Sequence, residues 1–276
     1  MIKIENVEVV GWKAAIRGMR NPKNSWDRSD SNVCALSEHT VHCKDCPQGS
    51  MCNADIADVE KTYIVGPNDL GLMNNLAKGG PVHAKYRRMI VVYVDITAPL
   101  YWWKEFDTYK IGTVANSCST MHKIADKEFT LDDFSTEHLF GPEDMLAFDE
   151  RYEIEKDNAL AAVDVDGHWC YFTPKHYIQM TCNILNHYRT KYLKNKDDPR
   201  EKVSDRPGAM NRYWWQMIQL LPSSYNQKRT IMLSYEVLVG MYRDRKTHKQ
   251  DEWYEFCEWI ETLPYSEIIT GGTKEK

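Results

Sequence analysis

No uncharged apolar run in these 276 residues approaches the roughly 18 needed to cross a membrane. The opening Met1-Ile2-Lys3-Ile4-Glu5-Asn6-Val7-Glu8 lacks the basic-then-apolar layout of a secretory leader, so a cytoplasmic location is expected. Excess positive charge is missing too. With 35 Lys and Arg against 40 Asp and Glu, the net charge is -5, which argues against a bulk duplex nucleic-acid surface but leaves room for a local basic pocket holding a phosphorylated small molecule. There is no P-loop, no G-x-G-x-x-G turn and no Ser-His-Asp arrangement, so ATPase, Rossmann dehydrogenase and serine hydrolase readings have little footing. Internal repeats and low-complexity tracts are also lacking.

What is present is an ordinary soluble globular composition, 42% hydrophobic and 27% charged, with nine Trp and sixteen Tyr. The length suits one large domain or two small ones, and a single domain over 1–276 is expected. In a reducing compartment the eight cysteines are expected to be thiols, with Cys118, Cys170, Cys182 and Cys257 placed as small buried residues. The other four cluster. Cys34, Cys43, Cys46 and Cys52 form C-x8-C-x2-C-x5-C within a polar insertion over 30–58 that has no apolar core of its own. Two readings fit: a structural zinc that orders the loop through four soft ligands, or reduced thiols in a surface insertion.

Residues 5–12 are β-branched and partly alternating, which predicts a first strand, followed by a short helix over 13–19. A helix is expected over 69–78, capped by Asn68 and ended by Gly79-Gly80. Residues 86–97 contain the near-continuous β-formers Met89-Ile90-Val91-Val92-Tyr93-Val94, predicting a central strand covered on both faces. Beyond residue 130 the pattern predicts mainly helices. These lie over 175–194, over 210–221, over a segment capped by Ser223 or Ser224 and carrying Ile231, Met232, Tyr235, Leu238, Val239 and Tyr242, and over 250–262. Asp132-Asp133 and Glu143-Asp144 read as helix-start carboxylates rather than a catalytic acid and base. His168, His176 and His187 lack a consistent metal spacing.

Two clusters carry chemistry. The strand ending at Ala98-Pro99 runs into small hydroxyl and amide residues, T-Y-K-I-G-T-V-A-N-S-C-S over 108–119, an unusual choice for core packing. The second is R-K-T-H-K-Q-D-E-W over 245–253. On one helix His248 and Glu252 would share a face with Arg245. A guanidinium offers a planar fork for a phosphate or a pyrimidine carbonyl, and a nearby imidazole donates to a ring edge or phosphate. A solvated, salt-bridged helix turn explains the same spacing.

Together these clusters resemble the flavin-dependent thymidylate synthase family. That family carries A-P-x8-R-H-R-x2-S-x-N-E-x-S-x-R after a central strand, and here Ala98-Pro99 is followed at the same offset by Thr108-Tyr109-Lys110, then Thr113. Asn116 falls where the family has Glu, or beside its Asn if one residue is inserted, and Cys118 or Ser119 falls where it has Ser. Downstream, Leu221-Pro222 precedes Arg245, His248, Gln250 and Glu252, similar to L-P followed by R-x3-H-x-Q-x-E. The resemblance covers 5–120 and 210–264. Residues 130–209 look like an additional, largely helical region.

The resemblance implies an α+β fold, a central β-sheet with flanking helices and a helical C-terminal half, in a homotetramer with shared active sites. It implies one-carbon transfer from methylenetetrahydrofolate to C5 of a pyrimidine deoxynucleotide such as deoxyuridylate, with FAD as cofactor and NADPH as reductant. By carry-over, Arg245 contacts the nucleotide or flavin, Tyr109 and Lys110 stand at flavin-binding positions beside His83 and His248, and Thr113 replaces the serine near the pyrimidine. Asn116, Ser117, Ser119, Gln250 and Glu252 are the further substrate-binding candidates. Thr108-Tyr109-Lys110 keeps one positive charge where the family has R-H-R. The alternatives are a nucleotide-binding protein on the same fold without redox chemistry, and a zinc-stabilised interaction protein exposing one member of each pair Trp102-Trp103 and Trp214-Trp215.

Overall fold

The computed structural model describes residues 2–33, 63–141, 161–165 and 168–271, and only the backbone of 161–165 and 168–171. Cys34, Cys43, Cys46 and Cys52 lie outside the described residues, as do Glu143 and Asp144. In chain order the described strands are β1 (Lys3–Val10), β2 (Asn32–Val33), β3 (Tyr63–Ile64), β4 (Val91–Pro99), β5 (Thr113–Ser117), β6 (Ala161–Val165), β7 (His168–Phe172) and β8 (Asn226–Ser234). The chain divides into two compact units, residues 1–96, 105–116 and 229–276 in one and residues 97–104 and 117–228 in the other.

A four-stranded sheet in the order β1-β4-β8-β5 makes β4 an inner strand, as its sequence predicts. It is not covered on both faces. Val92, Val94, Ile96 and Ala98 are buried, whereas Tyr93 is exposed and Asp95 turns to the other side, where it accepts hydrogen bonds from Asn6 Nδ2 (2.9 Å) and Thr230 Oγ1 (2.6 Å). This is the alternation of a sheet with one packed face, partly masked in the sequence because Val91 and Tyr93 are themselves β-formers. Residues 86–89, expected to begin this strand, instead lie in a 3-10 helix over Ala84–Met89. Tyr86 anchors it by donating to the Met73 carbonyl (2.9 Å), and burial pushes the phenol up to about 12.

Within the first unit, helix Trp12–Arg20 buries Trp12, Ala15, Ile16 and Arg20. It starts after Gly11, whose φ of 96° and close approach to the Met89 carbonyl leave no room for a Cβ. Helix Pro67–Lys78 begins two residues earlier than its pattern suggests, with Pro67 in the first turn and Gly66 rather than Asn68 at the cap. The cap comes from a distant carboxylate: Asp30 accepts from the N–H groups of Asn68 (2.9 Å) and Asp69 (3.1 Å). Arg20 joins the two helices through a fully buried ion pair to Asp69 (2.6 Å).

The segment carrying Ile231 and Tyr235 is strand first and helix second. Ile231 and Leu233 are buried at period two in β8, and Ser234 then caps helix Tyr235–Arg245 by accepting from the Val237 N–H (3.4 Å). Tyr235, Leu238, Met241 and Tyr242 are buried on this helix, and so are Trp253, Phe256 and Ile260 on helix Asp251–Thr262, which packs against it.

In the second unit, helix Pro174–Asn195 starts with a reciprocal capping box between Thr173 and His176. It packs on helix Arg212–Leu220, capped by Asn211, around a core that includes Phe129, Phe134, Ile178, Leu185, Trp214 and Met217. The antiparallel β6/β7 hairpin interrupts a stretch that reads as helical. Thr130 and Asp133 cap a 3-10 turn, the structural role expected of Asp132-Asp133. Trp102 and Trp103 are both fully buried, their rings edge to face at 4.9 Å, and Trp103 Nε1 donates to the Gln227 carbonyl (2.9 Å). Neither is available for a contact with another molecule.

Candidate functional site

The two chemistry-bearing clusters meet in the first unit. Helix Leu100–Phe106 ends beside Glu105, and the chain turns through Asp107–Gly112 into β5. Helix Tyr235–Arg245 ends at Arg245, and a new helix starts at Asp251. Arg245 Nε donates to the Tyr109 hydroxyl (2.9 Å), and Arg245 Nη1 donates to Glu105 Oε2 (2.5 Å). The guanidinium lies 4.5 Å from the Trp253 ring and 5.5 Å from the Tyr109 ring, a cation-π arrangement on two sides. Phe106 and Phe256 flank Trp253, stacked and edge to face, and hold its indole in place.

His248 and Glu252 do not share a helical face. The Gln250 N–H points at His248 Nδ1 (3.3 Å) instead of continuing a helical ladder, so His248 sits in a turn and Glu252 is buried in the first turn of the next helix. His248 Nε2 lies 3.5 Å from Glu105 Oε2, and Trp253 Nε1 donates to the same oxygen (3.2 Å). Glu105 is thus the hub of the cluster. Its sequence neighbourhood, W-W-K-E-F, carries no motif, and its partners lie about 140 residues downstream.

The other candidates are spread more widely. Thr113 opens β5 with its hydroxyl donated to the Tyr109 carbonyl (2.5 Å), which fixes the turn beneath the cluster. Lys110 is exposed, and so are Asn116 and Ser117 on β5, an edge strand of the sheet. Ser119 is used locally, capping the short helix Thr120–Lys123 by accepting from the His122 N–H (3.2 Å). Cys118, expected to be buried, is exposed, whereas Cys182 and Cys257 are buried as expected. Burial pushes the Cys257 thiol up to about 12, with the Glu261 charge adding to it. Among the described residues no group of three or more His, Cys, Asp or Glu is arranged to hold a metal.

His83 is exposed on the wall of a cleft of about 1570 Å³ in the first unit. Leu72, Leu76 and Val82 give the cleft apolar surface, while Lys23, Arg28 and Lys85 give it positive charge. Arg20 and Arg87 are not free cations. The first is neutralised by Asp69, and the second is buried 3.9 Å from Glu236.

No protein-family model matches the sequence, and no curated protein matches it. Solved structures do. The chain is similar to the flavin-dependent thymidylate synthase ThyX from Helicobacter pylori complexed with FAD and dUMP, at 12% identity and a TM-score of 0.50, with 96% of each chain covered. A second structure of ThyX from Helicobacter pylori with FAD and dUMP gives the same identity and TM-score over 97% of this chain and 96% of that one. A UMP/dUMP methylase, PolB from Streptomyces cacaoi, bound with 5-Br UMP, aligns over 98% of this chain and 94% of its own at 11% identity and a TM-score of 0.47. The chain has an α+β fold of the flavin-dependent thymidylate synthase type. Among the described residues no helix is long and apolar enough to cross a membrane.

Proposed function

We propose that this protein binds a pyrimidine deoxynucleotide such as deoxyuridylate and transfers a one-carbon unit to its C5 in a flavin-dependent reaction. The observation that carries the reading is the Tyr109–Arg245 hydrogen bond of 2.9 Å, which joins the segment after Ala98-Pro99 to the R-x2-H-x-Q-x-E segment, the two stretches that resemble one family. The fold, shared with structures holding FAD and dUMP, supports it. Fold alone does not carry function, so the residues must supply the rest of the argument.

FAD has a poor fit at Thr108-Tyr109-Lys110, where Lys110 is the single cation and the hydroxyl of Tyr109 is engaged by Arg245. The fit is better in the His83 cleft. Lys23, Arg28 and Lys85 would hold its phosphates there, and Leu72, Leu76 and Val82 would cover its ring system. When bound, the flavin would supply the two-electron chemistry, with NADPH and methylenetetrahydrofolate as co-substrates. The protein's part is orientation: Asn116 and Ser117 offer amide and hydroxyl groups to a base edge, while Thr113 fixes the turn that carries Tyr109. Gln250 and Glu252, in the same unit as Arg245, complete the proposed nucleotide-binding set, and a homo-oligomer is the proposed assembly.

A second reading, nucleotide binding without redox chemistry, is favoured by one observation: Glu105 neutralises Arg245 within the cluster. The absorption spectrum of the purified protein, identification of any released cofactor, and thermal shift with FAD and with deoxyuridylate separate the two. Yellow protein stabilised by both ligands supports the enzyme. Colourless protein stabilised by the nucleotide alone supports the second reading, and no response to either ligand removes both.

A further inference from the structure

The geometry points to Glu105 as a built-in stand-in for an anion, occupying a pocket made by Arg245, Trp253 and His248 that a nucleotide phosphate enters when the carboxylate swings away. One oxygen of Glu105 faces three nitrogens: Arg245 Nη1 at 2.5 Å, Trp253 Nε1 at 3.2 Å and His248 Nε2 at 3.5 Å. A guanidinium and an indole N–H have no acceptor capacity, so two of these groups demand an oxygen whatever molecule provides it. The imidazole is oriented to join them. Because His248 Nδ1 faces the Gln250 N–H, the hydrogen of the neutral ring belongs on Nε2, toward the same oxygen. Three converging donors of this kind, one of them cationic, form an oxyanion site.

The donors are held more firmly than the carboxylate that fills them. Trp253 is fully buried between Phe106 and Phe256, and Arg245 is stacked on it with its side chain 16% exposed. Glu105 is 34% exposed and lies at the end of a short helix beside the Asp107–Gly112 turn, so rotation of its side chain reaches water without disturbing the aromatic core. Because Arg245 and Trp253 Nε1 need an acceptor, the carboxylate leaves as another oxygen arrives rather than leaving the donors unpaired. A dianionic phosphate offers more charge and more acceptor oxygens to the same donors. Glu105 therefore sets how tightly the pocket takes phosphate: while ionised and in place it both occupies the site and repels the ligand.

This inference rests on the proposed nucleotide-binding reading and is tested by calorimetric titration of the whole protein with deoxyuridylate and, separately, with deoxyuridine. Glu105→Gln removes the charge and keeps the shape, and is expected to tighten deoxyuridylate binding on the order of tenfold or more, with no gain for deoxyuridine. Arg245→Ala added to Glu105→Gln is expected to cancel the gain, and Glu105→Ala repeats the test should the glutamine variant fold poorly by near-ultraviolet circular dichroism. Unchanged deoxyuridylate affinity in a folded Glu105 variant overturns the inference, as does an equal gain for the phosphate-free nucleoside. The wild-type titration judges the underlying reading separately: binding by wild type without a gain in the variants sinks this inference alone, whereas no binding by any of them sinks both.

Discussion

Arg245 Nε and the Tyr109 hydroxyl lie 2.9 Å apart although 136 residues separate them in the chain. The bond ties the end of helix Tyr235–Arg245 to the turn that leads into β5. Tyr109→Phe leaves a largely buried guanidinium N–H without its acceptor while keeping the ring under the cation. The expected cost is about 1–2 kcal/mol in urea denaturation, since a lost hydrogen bond to a charged group exceeds a neutral one. Stability equal to wild type would show that water replaces the hydroxyl and that Tyr109 is held by its ring alone.

The sequence makes half of this arrangement legible. Ala98-Pro99, Tyr109 and Arg245 stand out through motif spacing, and the β4 strand through its β-branched run. Glu105 does not, because a carboxylate after two tryptophans has no local signature and its donors arrive only through tertiary packing. Strand β8 reads as helix for a related reason. Its buried Ile231 and Leu233 merge without a turn residue into the helix that starts at Tyr235, and the combined run imitates helical spacing. The cap of helix Pro67–Lys78 was equally hidden, since Asp30 lies 38 residues from the Asn68 N–H it accepts.

Asp69 provides the second prediction. Burial raises its carboxyl, but hydrogen bonds from Ser29, Ser31 and Arg20 outweigh that and hold it below its ordinary value. A group depressed on folding contributes stability that is complete above the unfolded value near 4 and drains away as the pH falls through the folded one. Asp69→Asn is expected to cost about 3–5 kcal/mol at neutral pH because Arg20 is left buried without its counter-charge, and to flatten the acid limb of the stability curve. The pair Arg20→Met with Asp69→Leu is expected to cost much less. Equal losses in the single and double variants would mean that packing, not charge, dominates.

Gly11 gives a backbone prediction. With φ at 96° and a hypothetical Cβ only 2.0 Å from the Met89 oxygen, Gly11→Ala meets both left-handed strain and a clash with main chain. The strain alone is worth about 1–3 kcal/mol, and the clash adds to it by pushing helix Trp12–Arg20 away from the Ala84–Met89 segment. Gly80→Ala is the control, because Gly80 shares the positive φ with nothing within 4 Å of its added Cβ. A melting temperature lowered equally in both variants would leave the clash without effect.

Cysteine reactivity reports on the β5 edge. Cys118 is exposed, whereas Cys257 is buried with its thiol pushed up to about 12 and Cys182 is buried and raised by its apolar surroundings and by the Asp133 charge. The thiolate is the reactive form, so near pH 8 iodoacetamide should label Cys118 in the native protein and spare Cys182 and Cys257, as read by peptide mass spectrometry. Cys118 directly follows Asn116 and Ser117, and its backbone is held by Lys228 and Gln227 (2.9 and 3.0 Å), so the thiol is a fixed reporter for whatever binds beside it. If Asn116 and Ser117 read a pyrimidine edge, deoxyuridylate should slow Cys118 labelling several-fold while leaving the rate at denatured protein unchanged. Unaltered labelling at saturating nucleotide would place the base away from this strand and remove both residues from the proposed site.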